Sequence, residues 1–164
     1  MKSELTAERA RELLDYDPET GIFTWTRSRG SISAGSRAGN ADASGYIRIR
    51  IDRVLHHAHR LAWLMVHGKF PDVEIDHRNG VRSDNRIVNL REATRTQQLW
   101  NKAIQSNNRS GFKGVTFYQR DAVWVATISY GGRSHHLGRF STAEIAHAAY
   151  AERARQVFGE FARI

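Results

Sequence analysis

The 164 residues, 40% hydrophobic with four Trp, five Tyr and seven Phe, can bury one medium core or those of two or three small modules, which excludes disorder throughout. With no cysteine, disulfides, thiolate metal sites and thiol nucleophiles are excluded, and the longest apolar stretch, residues 61–66, is far short of the roughly 20 residues of a bilayer span. Twenty-five Lys and Arg against seventeen Asp and Glu give a net charge of +8, which suits a nucleic-acid partner and equally suits a solvated basic surface.

Thr6, between Leu5 and the pair Leu13 and Leu14, predicts a short capped amphipathic helix within the first fifteen residues. Asp17-Pro18-Glu19-Thr20-Gly21 is turn chemistry, with Pro fixing φ and Gly admitting positive φ, and a strand follows at 22–25. Residues 27–45 are rich in Gly, Ser, Ala and Arg without periodicity and read as a surface loop. Over 46–52, Ile47, Ile49 and Ile51 alternate with Arg48, Arg50 and Asp52, the period of a half-buried strand whose charged face can meet solvent or phosphate. Residues 60–67 suit a short helix stopped by Gly68 and Pro71. The polar stretch 103–110 is the expected linker. Beyond it, strands are expected at 114–118, 123–130 and 134–140, joined at Arg120-Asp121 and Gly131-Gly132. Ser141-Thr142-Ala143-Glu144 reads as a capping box, opening a helix with an apolar stripe of Ile145, Ala146, Ala149, Tyr150, Ala154 and Val157. Trp124, Ala126 and Ile128 should meet that helix, leaving Val125, Thr127, Ser129 and His136 outward.

Residues 59–102 are densest in chemistry. A strand ending in Asp76-His77 sets a carboxylate beside an imidazole, and the Asn79-Gly80 turn returns the chain toward a second strand at 90–93. Thr94 and Gln97 then form a capping box for a helix from Arg95 to about Lys102, on which Gln98 and Asn101 share a face. An amide oxygen there can meet Asp76 across a divalent ion.

The segments His59-Arg60-Leu61-Ala62-Trp63, Ile75-Asp76-His77-Arg78-Asn79-Gly80, Asp84-Asn85-Arg86 and Asn89-Leu90-Arg91, in that order, resemble the phage-type HNH homing endonucleases. The resemblance implies a ββα-metal fold in which His77 is the general base, Asp76 ligates Mg²⁺ or Mn²⁺, and Asn89 braces the loop between the strands. The family usually carries an Asn ligand four residues after the capping Thr, where this chain has Gln98, with Asn101 the alternative ligand. His59 reads either as a structural hydrogen bonder or as a phosphate or site-supporting residue, whereas His56, His57 and His67 have no spacing argument and read as exposed or packed. Asn85 and Arg86 read as loop stabilisers, with phosphate a second role for Arg86, and Trp63 and Trp100 read as core.

Phe112-Lys113-Gly114-Val115, Trp124-Val125-Ala126-Thr127-Ile128, His136-Leu137-Gly138-Arg139-Phe140 and the helix through Tyr150 resemble the AP2 DNA-binding domain, in which a three-stranded sheet enters the major groove. Residues 109–164 carry eight Lys or Arg against four Asp or Glu, half of the chain's surplus. Lys113, Arg120 and Arg133, with Thr116, Tyr118, Thr127, Ser129 and His136, are the expected DNA contacts. The expected α+β fold therefore has an N-terminal α/β extension (1–45), an HNH core (46–102), the linker (103–110) and an AP2-like three-stranded antiparallel sheet packed on one helix (111–164). The expected protein is an endonuclease of double-stranded DNA, a monomer or weak dimer without a membrane partner, in the cytoplasm of a bacterial or phage-infected cell. The competing readings are a non-catalytic DNA-binding or transcription regulator with a degenerate HNH core, and an RNA-binding protein.

Overall fold

In the computed structural model, residues 5–164 are described; the part of the N-terminal helix expectation that falls on residues 1–4 lies outside them. The chain divides into two compact units, Met1–Arg95 and Thr96–Ile164.

In the first unit, helix α1 (Ala7–Leu13) is capped as expected, the Thr6 hydroxyl accepting the Arg9 amide at 3.2 Å. Leu14 already has extended backbone and opens a hairpin of β1 (Leu14–Asp17) and β2 (Ile22–Trp25). A three-stranded sheet follows, β3 (Asn40–Ala41), β4 (Ile47–Ile51) and β5 (Val54–His57), with β4 central. Strand β5 has no counterpart in the expected elements. Its turn is Asp52-Arg53, both at positive φ, without the Asn-Gly or Asp-Gly pair that usually signals such a hairpin. Ile49 and Ile51 enter the core with Leu14, Phe23, Leu61 and Leu64, which leaves Arg48 and Arg50 on the opposite face. Helix α2 (Ala58–His67) ends at Gly68, and β6 (Glu74–His77) pairs antiparallel with β7 (Leu90–Ala93).

In the second unit, β8 (Val115–Tyr118), β9 (Val123–Tyr130) and β10 (Arg133–Phe140) form an antiparallel sheet with β9 in the middle, and helix α4 (Ala143–Phe158) packs on it. The helix begins one residue later than the Ser141 cap predicts, with the Thr142 hydroxyl accepting the Ile145 amide at 3.3 Å. Its buried stripe is Ala143, Ala146, Tyr150, Ala151, Ala154 and Phe158, so Ile145 is exposed. Val125, expected outward, is buried.

The division of the chain falls ahead of the predicted linker because the end of helix α3 (Arg95–Trp100) packs with the second unit. Trp100 stacks on Phe158 with ring centroids 4.6 Å apart, and the Lys113 ammonium donates to the carbonyls of Trp100, Lys102 and Arg163 at 2.8, 2.9 and 3.1 Å.

Candidate functional site

The β6–β7 hairpin carries the Asp-His pair. His77 is the last residue of β6 and is 4% exposed, and Asp76 sits opposite Arg91 in the ladder. Arg91 donates through Nε and Nη2 to Asp76 Oδ2 at 3.0 and 2.8 Å, which fixes the carboxylate's orientation. His77 Nε2 lies 3.4 Å from Asn85 Oδ1, and Asn85 is itself anchored by donation from its amide to the Ser83 carbonyl at 3.2 Å. Burial pushes the His77 imidazole below the ordinary histidine range, partly offset by the Asn85 contact.

The loop between the strands is tied by its own side chains. Asn89 Oδ1 accepts the Asn79 amide at 3.0 Å, and its Nδ2 donates to the Asp84 carbonyl at 2.8 Å. Asp84 accepts from the Arg86 fork at 2.8 and 2.6 Å and from Asn79 Nδ2 at 2.7 Å, and that fork is the main reason its carboxyl is held down at about 2. The N-terminal hairpin supports the same loop: Tyr16 Oη donates to the Asn85 carbonyl at 2.7 Å, and the Ile87 amide donates to the Pro18 carbonyl at 3.1 Å. That support is a tertiary contact that no local pattern announces.

Around His77 the structure gathers rings that are scattered in the sequence. His59 lies edge-on to His77 at 5.1 Å and stacks with His57 at 5.0 Å, and Tyr46 lies 5.3 Å from both His57 and His59 and 5.9 Å from His77. Arg82 reaches in from the loop, its guanidinium 4.9 Å from the Tyr46 ring and donating to the Ser44 carbonyl at 2.8 Å. His57 and Tyr46 escape sequence reasoning because their membership depends on β5. The spacing of His57 and His59 across the strand-to-helix junction is the one signal that could have found them.

His59 is 7% exposed, and its Nδ1 has no hydrogen-bond partner. Burial first, then the neighbouring His77, His57, Arg60 and Arg48, lowers its pKa to about 3. An unfolded histidine titrates near 6.5. Between these values the unfolded chain binds a proton that the folded chain refuses, so stability falls as pH drops through that window, by up to about 1.4 kcal/mol per pH unit. We expect His59→Phe, measured by chemical denaturation at several pH values, to flatten the acid slope by up to one proton's worth. Superimposable slopes for the two proteins would remove His59 as its source.

The other expected site residues lie in the second unit. Gln98 is half-buried on α3 and Asn101 is buried just beyond it. Among the described residues no three His, Cys, Asp or Glu side chains assemble into a metal-binding group. Thr116, Tyr118, Thr127, Ser129 and His136 share the sheet face opposite Ala126, with Thr127 paired to His136 and Thr116 to Val125. Arg139, also paired to Val125, joins them and contacts Asp121. Arg120 is exposed at the β8–β9 turn, its Nε 3.1 Å from Asp121, while Arg133 pairs with Tyr130 and so lies on the helix side of the sheet. Lys113 differs from expectation: its three donors serve backbone carbonyls, and burial lowers its pKa to about 8, so it is a structural cap and not a phosphate contact.

Residues 56–99 match the HNH endonuclease family, a segment that holds His57, His59, Asp76, His77, Asn85 and Asn89. The chain is similar to Protein 3.8 of Escherichia phage T7, 29% identical over 106 residues that cover 64% of this chain and 87% of that protein. It is also 34% identical over 106 residues to an uncharacterized HNH endonuclease of Acanthamoeba polyphaga mimivirus, covering 63% of this chain and 54% of that protein. The chain thus spans about half the length of the second relative. No solved structure gives a match.

Proposed function

We propose that the chain is a divalent-metal-dependent HNH endonuclease that hydrolyses phosphodiester bonds of double-stranded DNA. The observation that carries this reading is His77, buried beside Asp76 at the exit of β6 and held against Asn85 within the HNH-matched segment. Its lowered pKa keeps the imidazole neutral at ordinary pH, the state a general base needs. Asn85 Oδ1, 3.4 Å from Nε2, orients the ring for that role. Asn89 is a positioning residue that holds the loop carrying Asn85, and His59, through its ring contact with His77, limits the swing of the base.

The resemblance implies Asp76, in the first unit, and Gln98 or Asn101, in the second, as the metal's ligands. One carboxylate and neutral oxygens suit Mg²⁺ or Mn²⁺, which keep waters and take the rest of their shell from substrate phosphate. When bound, the cation stabilises negative charge developing on the scissile phosphate and the leaving oxygen. The second unit, read as an AP2-like module, supplies affinity through Thr116, Tyr118, Thr127, Ser129, His136 and Arg120, together with Arg139. The enzyme acts as a monomer or weak dimer in the cytoplasm of a bacterial or phage-infected cell, and no helix among the described residues is long and apolar enough to cross a membrane.

Two observations favour a second reading, a DNA-binding protein that no longer cuts: Gln98 stands where the resembled family has Asn, and Arg91 places two donors on Asp76 Oδ2. A Mg²⁺ titration of plasmid cutting by the parent, Gln98→Asn and Gln98→Ala separates the readings. Ligand distances of about 2.0–2.1 Å leave little tolerance for an extra methylene. Gln98→Asn is therefore expected to cut at least as well at lower Mg²⁺, and Gln98→Ala to need more. Three identical titrations would remove Gln98 from the metal set, and no cutting by any of the three would favour the second reading.

A further inference from the structure

The face of the β3–β4–β5 sheet that carries Arg48 and Arg50, together with the preceding loop, encloses a groove of about 820 Å³ on the first unit. Four arginines line it, Arg29, Arg37, Arg48 and Arg50, against one acid, Asp42. Asp42 is engaged by Arg48 Nε at 3.1 Å, and among the described residues no carboxylate forms an ion pair with Arg29, Arg37 or Arg50. Arg29 lies 4.3 Å above the Trp25 ring, which pre-orients its guanidinium while leaving its donors available. Arg48 and Arg50 leave the same side of β4, two residues and so about 6.7 Å apart along the strand. The net charge, the surplus of guanidinium donors and their spread over a loop and a strand suit an extended polyanion better than one small anion.

The ladder register gives the groove a direction. Arg48 stands directly opposite His57 in β5, His57 stacks on His59, and His59 meets His77. We propose that this groove seats the phosphate backbone of the DNA arm adjoining the scissile bond, feeding the strand along Arg50, Arg48 and His57 to His77. This rests on the nuclease reading for its substrate, but its test reads binding and not cutting.

The experiment compares the full chain with Arg29→Ala/Arg37→Ala/Arg50→Ala, measuring affinity for a random-sequence duplex against salt in EDTA. Arg48 is retained because it pairs with Asp42. The triple variant is expected to show a log K against log salt slope shallower by about 2.7, that is about 0.9 for each phosphate no longer neutralised. The matching triple Arg→Lys variant should keep nearly the parent slope, since charge and not guanidinium packing is what phosphate neutralisation requires. Arg50→Gln, on an exposed side chain, guards against misfolding of the triple variant and should flatten the slope by about 0.9 alone. Unchanged slopes in folded triple-Ala and single-Gln variants would overturn the groove assignment while leaving the nuclease reading intact. A flattened slope in a protein that never cuts DNA with any divalent metal would uphold the groove and remove the nuclease reading.

Discussion

His77→Ala is expected to abolish DNA cutting by a folded protein while leaving duplex affinity within a few fold. Affinity comes from many phosphate contacts to which one neutral imidazole adds little, whereas losing a general base removes a contribution of about 10²–10⁴ in rate. The variant should remain folded, because the loop beside it keeps the Asn89, Asp84 and Arg86 bonds that do not involve the imidazole. Cutting rate and binding isotherm, measured on one preparation, check both halves of the expectation. Undiminished cutting would remove His77 from the role of base.

The second large effect is expected at Gly21, far from His77 in sequence. Gly21 has φ +73°, and a Cβ there would lie 2.6 Å from the Asn85 carbonyl carbon and closer still to the Arg86 amide nitrogen. Gly21→Ala therefore adds the left-handed cost, about 1–2 kcal/mol, to an overpacking cost of about 1–3 kcal/mol against backbone that cannot rotate away. Relief requires moving the loop that holds Asn85 against His77, so cutting should fall together with stability. Gly35→Ala is the control: its φ is +79°, but a Cβ would meet nothing within 4 Å, so only the conformational cost should appear. Denaturation midpoints for the two variants separate the terms, and equal losses would mean that the close approach to the Asn85 loop is not what Gly21 serves.

Much of the site is legible in the sequence because its signals are local. The alternation of Ile47, Ile49 and Ile51 marks β4, the Asn79-Gly80 turn leads from β6 toward β7, and Asn89 bonds across the loop it is expected to brace. What escapes depends on tertiary contact or unusual turn chemistry. Asp52 and Arg53 both occupy positive φ without glycine, so β5 stays hidden, and with it the path from Arg48 through His57 to His59. The expected stripe of α4 holds at Ala146, Tyr150 and Ala154 but fails at Ile145, which is exposed although it is the bulkiest apolar side chain of the first turn, while the small Ala143 and Ala151 are buried. Lys113 looks like a phosphate contact by charge alone, and only the fold brings three carbonyls to its ammonium.

That the Asp76-His77 pair cuts DNA is tested most directly by incubating the full chain with supercoiled plasmid in Mg²⁺, in Mn²⁺ and in EDTA, with His77→Ala alongside at equal duplex occupancy. We expect conversion of supercoiled DNA to nicked or linear product by the parent with either metal, none in EDTA, and loss of at least about 100-fold in the variant. Parent and variant that convert the plasmid equally, or a parent that binds duplex in Mg²⁺ and Mn²⁺ and never cuts it, would contradict that role for the pair.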